Sequence, residues 1–287
     1  MTSPEIEPAG RHSARNTVLL AAFEGWNDAG GAATAALAHL GEVWDARKVH
    51  ELDPEEYHDF QVNRPTVAPG PDGRRQITWP TTSFWVAELP RRTVVLVHGI
   101  EPSMRWRRYC AELLGQAVER DVRTVVTLGA LLADVPHTRP IPMTATSDSE
   151  GLRAVLPDIE PNTYEGPTGI VGVLQHEAAE RGMQSVSLWA AVPHYVANPP
   201  SPKATLAILA RVEELLGEPV PLRDLPDDAE AWQHGVDELA GEDAEIAEYV
   251  KQLEEAKDTA DLPEASGEAI AREFERWLKR RDSGRES

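Results

Sequence analysis

A chain of 287 residues, 41% hydrophobic and 26% charged, is long enough for one large α/β domain plus an appendage. Its formal net charge of −20, with a pI of about 4.8, argues against a nucleic acid or an anionic membrane surface as partner, because both require clustered Lys and Arg. A single cysteine, Cys110, excludes an intrachain disulfide and a cysteine-rich zinc site.

Residues 1–16 are polar and rich in Pro, Ser, Glu and Arg, with no apolar signal core, and read as a disordered lead-in. No apolar run approaches the roughly 20 residues of a membrane span, so a cytoplasmic location is expected. Val18 to Phe23 is a buried strand. Glu24 to Gly31 then turns the chain into a helix with Ala33, Ala36, Leu37, Leu40 and Trp44 on one face. Lys48 to Leu52 reads as a short strand, and Asp53 to Phe60 as too polar for the core. Arg64 to Gly73 is a loop. Gln76–Trp79 and Ser83–Val86 read as short, partly exposed strands, paired as a hairpin at a sheet edge.

Thr93 to Val97 is a continuous buried strand closing in His98-Gly99-Ile100-Glu101-Pro102. The stripe Trp106, Tyr109, Cys110, Leu113, Leu114, Ala117, Val118 predicts a helix. The run from Thr124 to Ala133 is a strand buried on both faces, followed by the rigid loop Asp134-Val135-Pro136-His137-Thr138-Arg139-Pro140. A short helix is expected over 150–155, a helix from Ile170 to Met183, a strand from Ser185 to Val192, and a helix carrying Leu206, Leu209, Val212 and Leu216. Such alternation predicts a doubly wound, three-layer α/β/α fold with a mostly parallel sheet over 17–220. Residues 221–287 read as an acidic helical extension. From Asp227 onward there are 19 acidic against 8 basic residues. Trp232, Val236, Leu239, Ile246, Val250 and Leu253 form a seam interrupted at Gly241. Ile270, Phe274, Trp277 and Leu278 mark a second amphipathic helix. The apolar side of this extension is expected to pack on the main domain or on another subunit.

Complete catalytic motifs are missing. The Gly25–Gly31 turn has the glycine spacing of a phosphate loop, but Gly31-Ala32 replaces its Lys-Ser/Thr pair, and Asp28 is placed to cap the helix instead. His98-Gly99 follows a strand without any G-x-S-x-G elbow to serve. His176-Glu177-Ala178-Ala179-Glu180 lacks the second histidine of a zinc helix, and Cys110 lies on an apolar stripe. What remains is a constellation of Asn27, Asp28, His98, Asp134, His137, Arg139, Glu165, Thr168 and His194. All follow strands or sit in adjoining turns, so a parallel sheet gathers them at one edge as a candidate crevice. A carboxylate beside a histidine can do acid–base work, and the histidines with Asp134 offer metal ligands. The plainer alternative is that these groups satisfy one another, with Arg139 pairing Asp134 or Glu165. Neither a cofactor nor a catalytic residue is assigned.

Four motifs in order, Phe23-Glu24-Gly25-Trp26-Asn27-Asp28-Ala29-Gly30, Asp134 to Pro140, Tyr164-Glu165-Gly166-Pro167-Thr168-Gly169 and Pro193-His194-Tyr195, resemble the proteasome assembly chaperone 2 family in its actinobacterial form. The resemblance spans about Val18 to Leu216. It implies a phosphorylase/hydrolase-like α/β/α sheet, homo-oligomers, and proteasome subunits as partners. It implies no catalytic residues. Relatives of the chaperone type dock through a hydrophobic-Tyr-X tail, whereas this sequence closes in Asp282-Ser283-Gly284-Arg285-Glu286-Ser287. The expectation is a non-enzymatic, assembly-chaperone-like binding protein. The alternative is a binder or enzyme of nucleoside-like small molecules using the crevice.

Overall fold

The computed structural model describes residues 16–156 and 158–261. The lead-in before residue 16 and the second amphipathic helix at Ile270–Leu278 fall outside them. Strand β1 (Asn16–Glu24) sets the architecture, because its side chains alternate between two cores. Val18, Leu20 and Ala22 face one core, with α1 (Ala32–Val43) and α5 (Pro202–Leu216). Leu19, Ala21 and Phe23 face the other, with α2 (Trp106–Val118) and α4 (Ile170–Glu180). A strand buried on both faces needs apolar residues at every position, which explains the unbroken run.

Strands β6 (Arg92–Ile100), β7 (Val122–Ala133) and β9 (Gln184–Pro193) run parallel to β1 in the order β6-β1-β7-β9. Both flanks are antiparallel. β5 (Ser83–Glu88) and β2 (Arg47–Glu51) extend the sheet beyond β6, and β8 (Met143–Thr146) beyond β9, giving seven strands. The fold is a three-layer α/β/α sandwich with a parallel centre and a helical C-terminal extension. A short helix α3 (Glu150–Val155) follows β8, its N-cap Ser149 accepting from the N–H of Leu152.

The structure corrects the reading of residues 53–88. Asp53–Phe60 is not excluded from the core. Tyr57 is 1% exposed, packs edge-on against Tyr109 and donates to Glu112. A polar string hides its buried residues when one aromatic carries the packing. The predicted hairpin partners do not pair with each other either. β4 (Arg75–Thr78) pairs with β3 (Thr66–Pro69), inside the expected loop, while β5 joins the main sheet. The Gly70–Gly73 turn closes that separate hairpin, with Gly70 N–H donating to Arg74 O at 2.7 Å.

The extension comprises α6 (Leu225–Glu242) and α7 (Ala244–Asp261). The break falls at Asp243, whose backbone is extended and whose carboxylate caps α7 through the N–H groups of Glu245 (2.9 Å) and Ile246 (3.3 Å). The predicted seam holds at Val236, Val250 and Leu253, which are buried, but fails at Leu239, which is 63% exposed. Ala240 is buried instead, because α6 lies against α5 rather than winding about one long partner.

Candidate functional site

The carboxyl ends of the parallel strands gather the predicted residues into two groups. The first joins the loops after β1 and β6 to the start of α4. Glu101, just past β6, is its hub. One carboxylate oxygen accepts from Asn27 Nδ2 and from Ile170 N–H, both at 2.8 Å. The second bond neutralises an orphan donor at the N-terminus of α4, where negative charge is favoured. Asn27 is 1% exposed, and its carbonyl accepts from Ala130 N–H at 2.8 Å, tying the loop to β7. Its Oδ1 has no partner among the described residues. Gly169 packs so closely on this amide that an added Cβ would lie 2.3 Å from Oδ1. Only glycine fits there while Glu101 holds Asn27 in place.

Asp28 caps α1, as its position predicted. Its carboxylate accepts from the N–H of Ala33 (2.7 Å), from the N–H of Thr34 (3.3 Å) and from the Thr34 hydroxyl. Burial pushes its carboxyl above the usual range, against the pull of those donors. The glycines before α1 serve this turn: Gly30 and Gly31 both have left-handed φ, and a Cβ on Gly30 would meet Ser201 at 2.7 Å. His98 lies 3.5 Å from Glu24. Thr168 and Glu165 sit on the exposed turn before α4, closed by the Tyr164 hydroxyl donating to Pro167 O at 2.7 Å. Beside this group is an open depression of about 470 Å³, lined by Glu24, Asp59, Asn63, Glu101, Ser103 and Met104 among others.

The second group follows β7 and β9. His137 is 1% exposed and fully engaged. Its Nε2 lies 2.9 Å from Asp237 on α6, and its Nδ1 lies 2.8 Å from the Tyr195 hydroxyl. An ionised carboxylate only accepts, so neutral His137 carries its hydrogen on Nε2, and Tyr195 donates to Nδ1. That phenol also accepts from the His137 N–H at 2.8 Å, and burial pushes its pKa up to about 12. It therefore remains a hydrogen-bond donor at neutral pH rather than a phenolate. Lys203 of α5 donates to His137 O and to Gln233 of α6. His194 Nδ1 lies 3.2 Å from Asp134, which also accepts from Tyr249 of α7 at 3.1 Å. The His194 ring meets those of Tyr195 and Tyr249 edge to face.

Arg139 pairs with neither Asp134 nor Glu165. Its Nε and Nη2 grip Asp258 of α7 at 2.8 and 2.7 Å, and Nη1 reaches Glu254 at 3.4 Å. Thr138 donates to the same Glu254. The extension thus brings carboxylates that are 100 residues or more distant in sequence, and local reasoning could not pair them. Asp134, His137, Arg139 and His194 are brought together; Asn27 joins Glu101 on the other side of β1. Glu101, Tyr195, Lys203, Asp237, Tyr249, Glu254 and Asp258 were missed as site residues. Only Glu101 and Tyr195 carried a signal, since both stand inside the strand-end motifs. Among the described residues no cluster of three or more His, Cys, Asp or Glu side chains is arranged to hold a metal ion.

Residues 22–240 match the PAC2 family. The chain belongs to the PAC2 family. A PAC2 family protein from Streptomyces avermitilis is 55% identical, with a TM-score of 0.77, over 82% of this chain and 100% of that one. A proteasome-assembly chaperone homologue from Mycobacterium tuberculosis is 49% identical, with a TM-score of 0.73, over 82% of this chain and 99% of that one. An archaeal proteasome activator from Pyrococcus furiosus, 17% identical over 80% of this chain and 96% of its own, shares the fold with a TM-score of 0.64. No curated protein matches the chain. The PAC2 match covers the strand-end loops of both groups and α6 as far as Ala240, and stops before α7. No helix among the described residues is long and apolar enough to cross a membrane.

Proposed function

We propose that this PAC2 protein is a non-enzymatic, cytoplasmic binding protein of the assembly-chaperone type, active as a homo-oligomer, with proteasome subunits as its partners. The observation that carries this reading is the 49% identity, over 82% of the chain, to a proteasome-assembly chaperone homologue. Three of the strand-end residues support it, because they spend their polar groups on the protein itself. Glu101 caps a helix, Asp28 caps another, and His137 is saturated by Tyr195 and Asp237. A reacting group must meet substrate, and these side chains meet protein instead.

The test is native mass spectrometry of the full-length chain mixed with purified actinobacterial proteasome α-subunits. A stoichiometric complex, and faster appearance of α-rings when the chain is present, are the expected results. Ring formation at an unchanged rate with no complex detected would remove the chaperone reading.

A further inference from the structure

We propose that the loop after β7 is a docking seat for a carboxylate-bearing helix of a partner protein, and that α7 is its resident, displaceable occupant. This rests on the protein-binding reading above and adds the place and chemistry of the contact. All the seat residues, Asp134, Thr138, Arg139 and His194, lie within the span that matches the family, whereas α7 lies outside it. The seat therefore lies inside the span of the family model, and the helix that covers it lies beyond that span.

The way α7 is held points to a ligand rather than a core element. Among its described side chains, Val250 and Leu253 are the buried ones, with Ile246 and Tyr249 half-buried. Beyond the Tyr249 ring, which meets His194 and Tyr195 edge to face, its ties to the loops after β7 and β9 are polar and lie at the solvent boundary: Tyr249 to Asp134, Glu254 to Thr138 and Arg139, and Asp258 to the fork of Arg139. A guanidinium fork fits a carboxylate geometrically, so the seat selects acids. α6 is anchored differently, through the buried His137 to Asp237 and through Lys203 to Gln233. Between the helices, Asp243 is extended and already caps α7. α7 can consequently leave as a capped unit without unwinding α6.

The stripe that α7 presents defines the partner. Tyr249, Val250, Leu253, Glu254 and Asp258 recur at helical spacing, so a helix with a phenol, two aliphatic residues and two carboxylates on one face would meet the same groups. The Arg139 guanidinium supplies the charge complementary to that helix's carboxylates.

The test uses the full-length chain and a fluorescein-labelled peptide of residues 244–261, with α7 monitored by hydrogen exchange. In the wild type α7 competes in cis at high effective concentration, and the peptide binds weakly. Substitution Glu254→Lys with Asp258→Lys should free α7, raise its exchange at least tenfold, and tighten peptide binding at least tenfold. Adding Arg139→Glu to that variant should restore cis contacts of reversed sign, return protection to α7 and abolish peptide binding. Unchanged α7 protection in the lysine variant overturns the proposal, as does a released α7 with no gain in peptide binding. A doubled wild-type mass that the lysine substitutions halve would give the seat to α7 of a second copy, overturning the partner assignment. The peptide titration needs no proteasome component, so it remains readable if α-subunit capture fails.

Discussion

The sheet body and the α6–α7 pair are held by different physics. In the body, β1 alone places Leu19, Leu20, Ala21 and Ala22 out of water, with helices on both sides. Each fully buried aliphatic side chain of the larger kind contributes about 1.5–3 kcal/mol, and ionic screening does not weaken it. In the pair, α7 buries two of its described side chains, packs the Tyr249 ring on His194 and Tyr195, and is otherwise held by partly exposed ion pairs, which contribute little and weaken with ionic strength. The body therefore resists local opening, and α7 is the segment that can open first.

The largest way to break this contrast is Leu20→Ala. It leaves a cavity between β1 and the α1/α5 layer, and a loss of about 2–5 kcal/mol is expected in urea unfolding followed by circular dichroism. A loss within the noise of that measurement would mean that the two-sided core is not where stability resides. Next comes Glu101→Ala. It strands the Asn27 amide and the Ile170 N–H, and about 1–3 kcal/mol should be lost, with faster exchange at the start of α4.

A pH dependence follows from His58. It is 5% exposed, and desolvation holds its imidazole below the ordinary value. The unfolded chain therefore takes up the proton first, near pH 6.5, and stability is lost as pH falls through that range towards the folded value. His58→Asn should shrink the difference between urea midpoints measured at pH 8 and pH 5.5. An identical difference in both proteins would exclude His58 as the source.

The smallest effect on global stability, and the most selective, belongs to Arg139→Ala. The urea midpoint should stay where it is while α7 amides exchange faster. The Arg139 guanidinium holds the Asp258 carboxyl below its usual range. The stability of that contact is therefore present above the unfolded value of about 4 and is lost as pH falls through the depressed folded one. Acid should reproduce the substitution in wild-type α7. A midpoint that drops sharply in Arg139→Ala would show α7 to be part of the cooperative body.

Much of this protein was determined by its sequence alone, wherever the signal was local. Continuous apolar runs named β1, β6, β7 and β9, and 3.6-residue stripes named α1, α2 and α5, because burial imposes those periods on contiguous residues. The Asp28 cap was legible for the same reason, since its donors lie five and six residues away. The order of motifs also pointed to the family. Only the tertiary structure decided what the strand-end residues touch. Arg139 meets Asp258, His137 meets Asp237, and Glu101 meets Asn27 and Ile170, each across 69 residues or more. Charge and hydrogen bonding fix no period along the chain, so many carboxylates were equally eligible. The choice among them was made by the packing that carried α6 and α7 onto the edge of the sheet.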